Sequence, residues 1–177
     1  MKLRLWPIVT SVIVSSVVLF GGWFLYDSLA MENPLSRIVQ EQPGIEQSKI
    51  NIGSKTVTVE LTPKADANLR EIYQSIVEKG GSIIGARNVE LVVKDSSTPE
   101  LDRWWSDALF DVAEAMEGRR YAAIPAALEA KKSTFPGLQV TTEMDDKYVY
   151  IHLTDGSHDK FRLLPRQAQK IGVWPNE

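Results

Sequence analysis

The chain contains no cysteine and only two histidines among its 177 residues. Without cysteine there is no disulfide framework, no thiolate metal site, no thiol nucleophile and no lipidated thiol. GxSxG, SxxK, HExxH, the P-loop and GxGxxG are all missing. The short motifs that announce nucleophilic, zinc-hydrolytic or nucleotide-binding chemistry are therefore absent. A basic surplus is lacking too. Twenty Lys and Arg stand against 23 Asp and Glu, a formal net of −3. That balance argues against general nucleic-acid binding and against adhesion to anionic lipid, both of which need a basic surface. No internal repeat and no low-complexity tract is found.

What the chain does have is a long run without charge. Residues Leu5 to Tyr26, LWPIVTSVIVSSVVLFGGWFLY, hold no ionisable acid or base other than the terminal tyrosine. At a helical rise of 1.5 Å per residue, about 20 such residues span the hydrocarbon core of a bilayer. Three readings compete: an uncleaved signal anchor, a secretory signal peptide cleaved after Ala30, and a buried core helix. Ser28-Leu29-Ala30 has the small-x-small form of a cleavage site, and Lys2 and Arg4 make a positive leader. Against cleavage, the apolar run exceeds the usual length of a signal-peptide core. Against a core helix, such runs are rare in small soluble domains. The anchor is the reading preferred. Trp6, Trp23 and Tyr26 suit interfacial aromatic belts, and Gly21-Gly22 suits a membrane helix. Lys2 and Arg4 precede the run and the next basic residue is Arg37, so the positive-inside rule keeps the N-terminus cytoplasmic. The expected layout is a cytoplasmic tip at 1–4, a transmembrane signal anchor at 5–27, a juxtamembrane connector at 28–48, an extracytoplasmic domain at 49–166 and a tail at 167–177. The expected location is the cell membrane, single-pass, with the C-terminal domain outside. Removing Lys2, Arg4 and Asp27 leaves 18 basic and 22 acidic residues outside, a formal net of −4.

Periodicity divides the exported part. PLSRIVQEQ, between Pro34 and Pro43-Gly44, has helical spacing and is expected to form a short helix, either a stalk or a piece docked on the domain. Lys49 to Thr62 alternates around Gly53-Ser54 as a hairpin. Asn68 to Lys79 carries Leu69, Ile72, Tyr73, Ile76 and Val77 on one helical face, with Asn68 and Glu71 in capping-box positions and Gly80-Gly81 as a stop. Val89 to Lys94 is a strand. Thr98 and Pro99 start a helix that runs to about Glu117; Trp104 and Trp105 can both belong to its broad apolar face, the reading preferred, or one ring can stand exposed as an interface anchor. A shorter helix covers about Ala122 to Lys132. Three strands follow, separated by turns at Asp145-Asp146 and Thr154-Asp155-Gly156-Ser157. Ile171, Val173 and Trp174 suggest that part of the tail packs. The predicted order is ββαβααβββ: an α+β fold with a mostly antiparallel sheet and helices on one face.

Candidate chemistry is sparse. His152 and His158 flank one turn, close to Asp155 and Asp159, and such a set can ligate a metal. Turns also gather His, Asp, Ser and Gly for conformational reasons alone, and no metal site is assigned. Glu143, Asp145 and Asp146 form an acidic cluster, yet neighbours in a strand point to opposite faces and a turn simply solvates them. No catalytic residue and no cofactor is expected. The strongest functional feature is a sheet face. If Val149, Ile151, Leu153, Phe161 and Leu163 point inward, then Tyr148, Tyr150, His152, Lys160 and Arg162 point outward as a mixed aromatic and basic interaction surface.

With its short N-terminal tip, one span, a β-hairpin, NLREIYQSI, a helical middle, MDDKYVYIHL and a closing FRLLPR, the chain resembles small single-span envelope proteins of Gram-positive, Bacillus-like bacteria. The resemblance is one of layout and implies no site residue. The expected role is a non-enzymatic, membrane-anchored interaction or scaffold domain that touches the bilayer through 5–27 and contacts an envelope protein or a second copy of itself, with no nucleic acid. The alternatives are a sensor or binding module for a small molecule or cell-wall fragment and, further off, a secreted hydrolase released by signal cleavage.

Overall fold

A computed structural model describes residues 5–27 and 33–167. Leu5–Asp27 forms helix α1, 23 residues long. Its side chains are described continuously over 9–23, where they are exposed except at Ser16 and Gly21, which are half-exposed. Among the described residues no helix is long and apolar enough to cross a membrane. The helical part of the expectation for 5–27 therefore holds, and the membrane-spanning part does not follow from the structure. The cleavage point at Ala30 lies outside the described residues.

The packed part begins before residue 49. Helix α2, Asn33–Gln40, buries Leu35 and Val39 completely in the first of two cores. Of the two expectations for this segment, a stalk or a docked piece, the structure shows the docked one. Strands β1, Ile45–Ile52, and β2, Thr56–Pro63, pair antiparallel. Helix α3, Leu69–Ile84, then crosses over and returns the chain to β3, Asn88–Val93, which pairs parallel to β2. A strand that follows a helical crossover can lie parallel to the strand before it, which a tight turn forbids. Val57, Val59, Leu61 and Val89 face the first core, together with Leu69, Ile72, Tyr73 and Ile76 of α3.

Helix α3 does not stop at Gly80-Gly81. It runs to Ile84 and is capped by Gly85 at φ 61°. Gly80 is a packing residue, because a Cβ there would lie 2.7 Å from Leu35 Cδ1 of α2. Helix α4, Pro99–Glu117, and α5, Ala123–Lys131, follow. They build the second core from Leu101, Trp104, Trp105, Ala108, Val112, Ile124 and Leu128. Both tryptophans are buried, and Trp104 Nε1 donates to the Lys131 carbonyl at 3.3 Å.

Strands β4, Gln139–Met144, β5, Tyr148–Thr154, and β6, Asp159–Pro165, form an antiparallel meander. The α+β class and the order ββαβααβββ are as expected over this region, but the six strands make two three-stranded sheets instead of one. Helices do not cover a single face. The second sheet is buried on both sides: Val149, Ile151 and Leu153 enter the second core, while Tyr150 and Phe161 enter the first.

Candidate functional site

The register of β5 and β6 decides where the predicted site residues go. Thr154 pairs with Asp159, so Phe161 lies opposite His152 and Leu163 opposite Tyr150. Phe161 and Leu163 therefore share a face with Tyr148, Tyr150 and His152, while Lys160 and Arg162 share the opposite face with Val149, Ile151 and Leu153. A one-residue slip moves every side chain of a strand to the other face. The outward surface of Tyr148, Tyr150, His152, Lys160 and Arg162 does not exist as one surface.

The five residues are tied into packing. Tyr73 of α3 stacks edge-on against Tyr148, with ring centroids 5.2 Å apart, and Tyr148 against Tyr150 at 6.0 Å. Tyr150 is buried and donates its hydroxyl to Asp145 Oδ2 at 2.7 Å. Burial, the bonded carboxylate and the charge of Asp145 raise its phenol pKa far above the usual value of 10.0. The Asp145 carboxyl answers in the other direction. Its partial burial opposes ionisation, but the backbone N–H groups of Tyr148 and Lys147 and the Tyr150 hydroxyl outweigh that and lower its pKa. Its Oδ1 accepts from both N–H groups at 2.8 Å, an Asx turn between β4 and β5.

Lys160, only 3 % exposed, places its ammonium on Asp102 and Ser97 of the stretch that opens α4. Arg162 reaches Asp95 at 2.8 Å. The same Asp95 carboxylate accepts the Phe161 N–H at 3.2 Å, and Ser96 Oγ accepts the Asp159 N–H at 2.9 Å. Asp95-Ser96-Ser97, between β3 and α4, thus clamps the open edge of β6.

His152 and His158 are held by different carboxylates. His152 Nε2 lies 2.8 Å from Asp159 Oδ1, and His158 Nδ1 lies 3.3 Å from Asp155 Oδ2. Among the described residues no group of three or more His, Asp or Glu is arranged to hold a metal ion. Glu143 is drawn away from Asp145 by Arg70 at 3.4 Å, so the acidic cluster divides into an ion pair and a turn.

Sequence reasoning missed one concave site. A cleft of about 250 Å³ opens between the β2–α3 loop and the inner face of the second sheet. It is lined by Asp66, Asn68, Thr141, Glu143, Tyr150 and His152, among others. The His152 ring stacks on Phe161 at 4.2 Å with 7° between the planes. The ring is thus fixed by stacking and by Asp159, and it offers Nδ1 as its remaining polar atom. No sequence signal marked this cleft, because Asp66 and His152 are 86 positions apart and meet only through the packing of two sheets.

Comparison with protein-family models, with curated proteins and with solved structures finds no match.

Proposed function

We propose that the protein is a membrane-anchored, extracytoplasmic, non-enzymatic interaction domain of a bacterial envelope. The observation that carries this reading is the contrast between α1 and the rest of the chain. Alpha-helical over 23 residues, about 34 Å long, it is charge-free from Leu5 to Tyr26, and its Val, Ile, Leu and aromatic side chains over 9–23 are exposed on all sides. Among the described residues, neither core includes one from α1. A soluble helix hides one apolar stripe and wets the other face, and this one has no wet face. The basic residues Lys2 and Arg4 favour a cytoplasmic N-terminus. The resemblance in layout to single-span Gram-positive envelope proteins points the same way.

Because α2 is docked, only residues 28–32 separate the anchor from the domain. Five residues reach about 17 Å at most, so the domain rides close to the bilayer surface. The contact surface moves from the sheet to α4. Phe110 is 80 % exposed there, beside the exposed Leu109. Phe110 and Leu109 are adjacent exposed apolar side chains, and aromatic residues are enriched in the cores of protein interfaces. The test is a photo-crosslinking residue in place of Phe110 in the full-length protein in native membranes. A discrete crosslinked species that Leu109→Asp abolishes is the expected result. Crosslinking to nothing but lipid and bulk protein, unchanged by Leu109→Asp, overturns the surface.

The cleft favours a second reading, a binding module for a small molecule or wall fragment. Its support is the fixed imidazole of His152 within a lined cavity. Thermal-shift screening of small polar ligands should then give a hit that Thr141→Trp, which fills the cleft, removes. Hits that survive the filled cleft contradict this reading.

A further inference from the structure

The basic side chains are unevenly spread. Residues 47–59 and 79–89 hold Lys49, Lys55, Lys79 and Arg87, four of the 18 basic residues that follow the anchor, and none of the 22 acidic ones. Packing joins the ends of these two segments. Arg87 Nε donates to the Gly53 carbonyl at 3.0 Å, and the Asn88 N–H donates to the Lys55 carbonyl at 3.0 Å. Arg87 also closes α3, its Nη1 donating to the carbonyls of Ile83 at 3.2 Å and Ile84 at 3.1 Å. Lys55, in the β1–β2 turn, and Lys79, near the end of α3, are exposed. Among the described residues, every Lys or Arg ion-paired to a carboxylate lies outside the two segments. Glu78, exposed beside Lys79, offsets one of these charges.

The tether arrives at the same end of the domain. Leu35, in the first turn of α2, packs over the last turns of α3: a Cβ on Gly80 would lie 2.7 Å from Leu35 Cδ1 and 2.9 Å from Ile84 Cδ1. Only residues 28–32 lie between α1 and α2. We infer that this end of the domain rests on the bilayer and binds anionic lipid headgroups through Lys55, Lys79 and Arg87. The inference rests on the anchor reading, since α1 supplies the lipid. A short tether holds the patch at high effective concentration beside the surface, so charges too few to recruit a free domain suffice to orient a tethered one. Each Lys or Arg close to an anionic surface favours the docked state about fivefold. That attraction fades beyond a Debye length of about 8 Å at physiological salt, so the local charge decides and the net charge of the chain does not. The acidic residues elsewhere are repelled by the same surface, which fixes the end that faces it.

The test uses full-length protein in vesicles of phosphatidylcholine alone, or of equal parts phosphatidylcholine and phosphatidylglycerol, each with a headgroup-nitroxide lipid. The chain has no native cysteine. A fluorophore is placed on Ser54→Cys in the β1–β2 turn or, as control, on Ala65→Cys past the other end of β2, about 25 Å along the strand. In the anionic vesicles the Ser54→Cys probe should be quenched several-fold more than the control, and the difference should shrink in phosphatidylcholine alone and in raised salt. Lys55→Gln and Lys79→Gln should each lower the docked-to-undocked ratio about fivefold. Both side chains are exposed, so the fold does not rest on them. Protein that floats with the vesicles while the two probes are quenched alike overturns the inference and leaves the anchor standing. So does Ser54→Cys quenching that is equal in both lipids and unmoved by the lysine changes. Protein that fails to float with the vesicles overturns the anchor and this inference with it.

Discussion

Tyr150 and Asp145 show how single residues set the chemistry of the interior. The folded state holds the Tyr150 phenol protonated at pH values where an unfolded chain ionises it, near 10.0. A pKa raised on folding contributes stability that is fully present below the unfolded value and is lost as pH rises above it. The depressed Asp145 carboxyl works at the other end. It contributes stability above the unfolded value of 3.8 that is lost as pH falls through the folded one. The domain should therefore show a stability plateau between about pH 4 and pH 10, with Tm falling on either side. Tyr150→Phe should lower Tm at neutral pH, since Asp145 loses a donor, and flatten the alkaline fall; an alkaline limb as steep as the parent's would contradict the assignment. Lys160 and Asp102 give a second residue-level expectation. Asp102→Ala strands a buried ammonium, whereas Lys160→Met removes the charge and its desolvation cost together. Thermal melts should show Asp102→Ala as the more damaging of the two. Gly44 gives a third. It sits at φ 84°, and a Cβ there would lie 3.0 Å from the Ala67 backbone. Gly44→Ala should cost about 1–3 kcal/mol in chemical denaturation.

At the scale of elements, α4 was the most legible. Thr98 accepts the Leu101 N–H at 3.2 Å, Pro99 occupies the first turn and Gly118 follows the end, all as local chemistry dictates. Thr98→Ala should accordingly cost about 1 kcal/mol, measured by denaturant titration. The strands were legible one by one, but their partners were not. β5 carries no polar face to fix its orientation, because Tyr150 is as buried as Ile151. Alternation normally tells inside from outside; here both sides are inside, and the pairing with β6 was readable one residue out of register. Gly80 misled for a related reason. Glycine ends helices, but it also lets two helices approach, and only the position of Leu35 distinguishes the two uses. The cleft beside His152 and the Asp95 clamp were invisible because each joins residues far apart in sequence.

At the scale of the whole molecule, β5 and β6 contribute to both cores, the first of which includes α2 and the second α4 and α5. The exposed apolar helix α1 follows from none of that packing, and the proposed anchor gives it a partner in lipid. On that proposal, the five residues between α1 and the docked α2 keep the domain, and whatever it touches, near the bilayer surface. The most direct measurement uses the cysteine-free background. Ser106→Cys, exposed on α4, is labelled in intact bacterial cells with a membrane-impermeant maleimide, and the cells are then fractionated. The account predicts labelling without lysis and full recovery in the membrane fraction, with no processing after Ala30 by N-terminal sequencing. Labelling that requires lysis, or recovery of a soluble protein beginning at Met31, would contradict it.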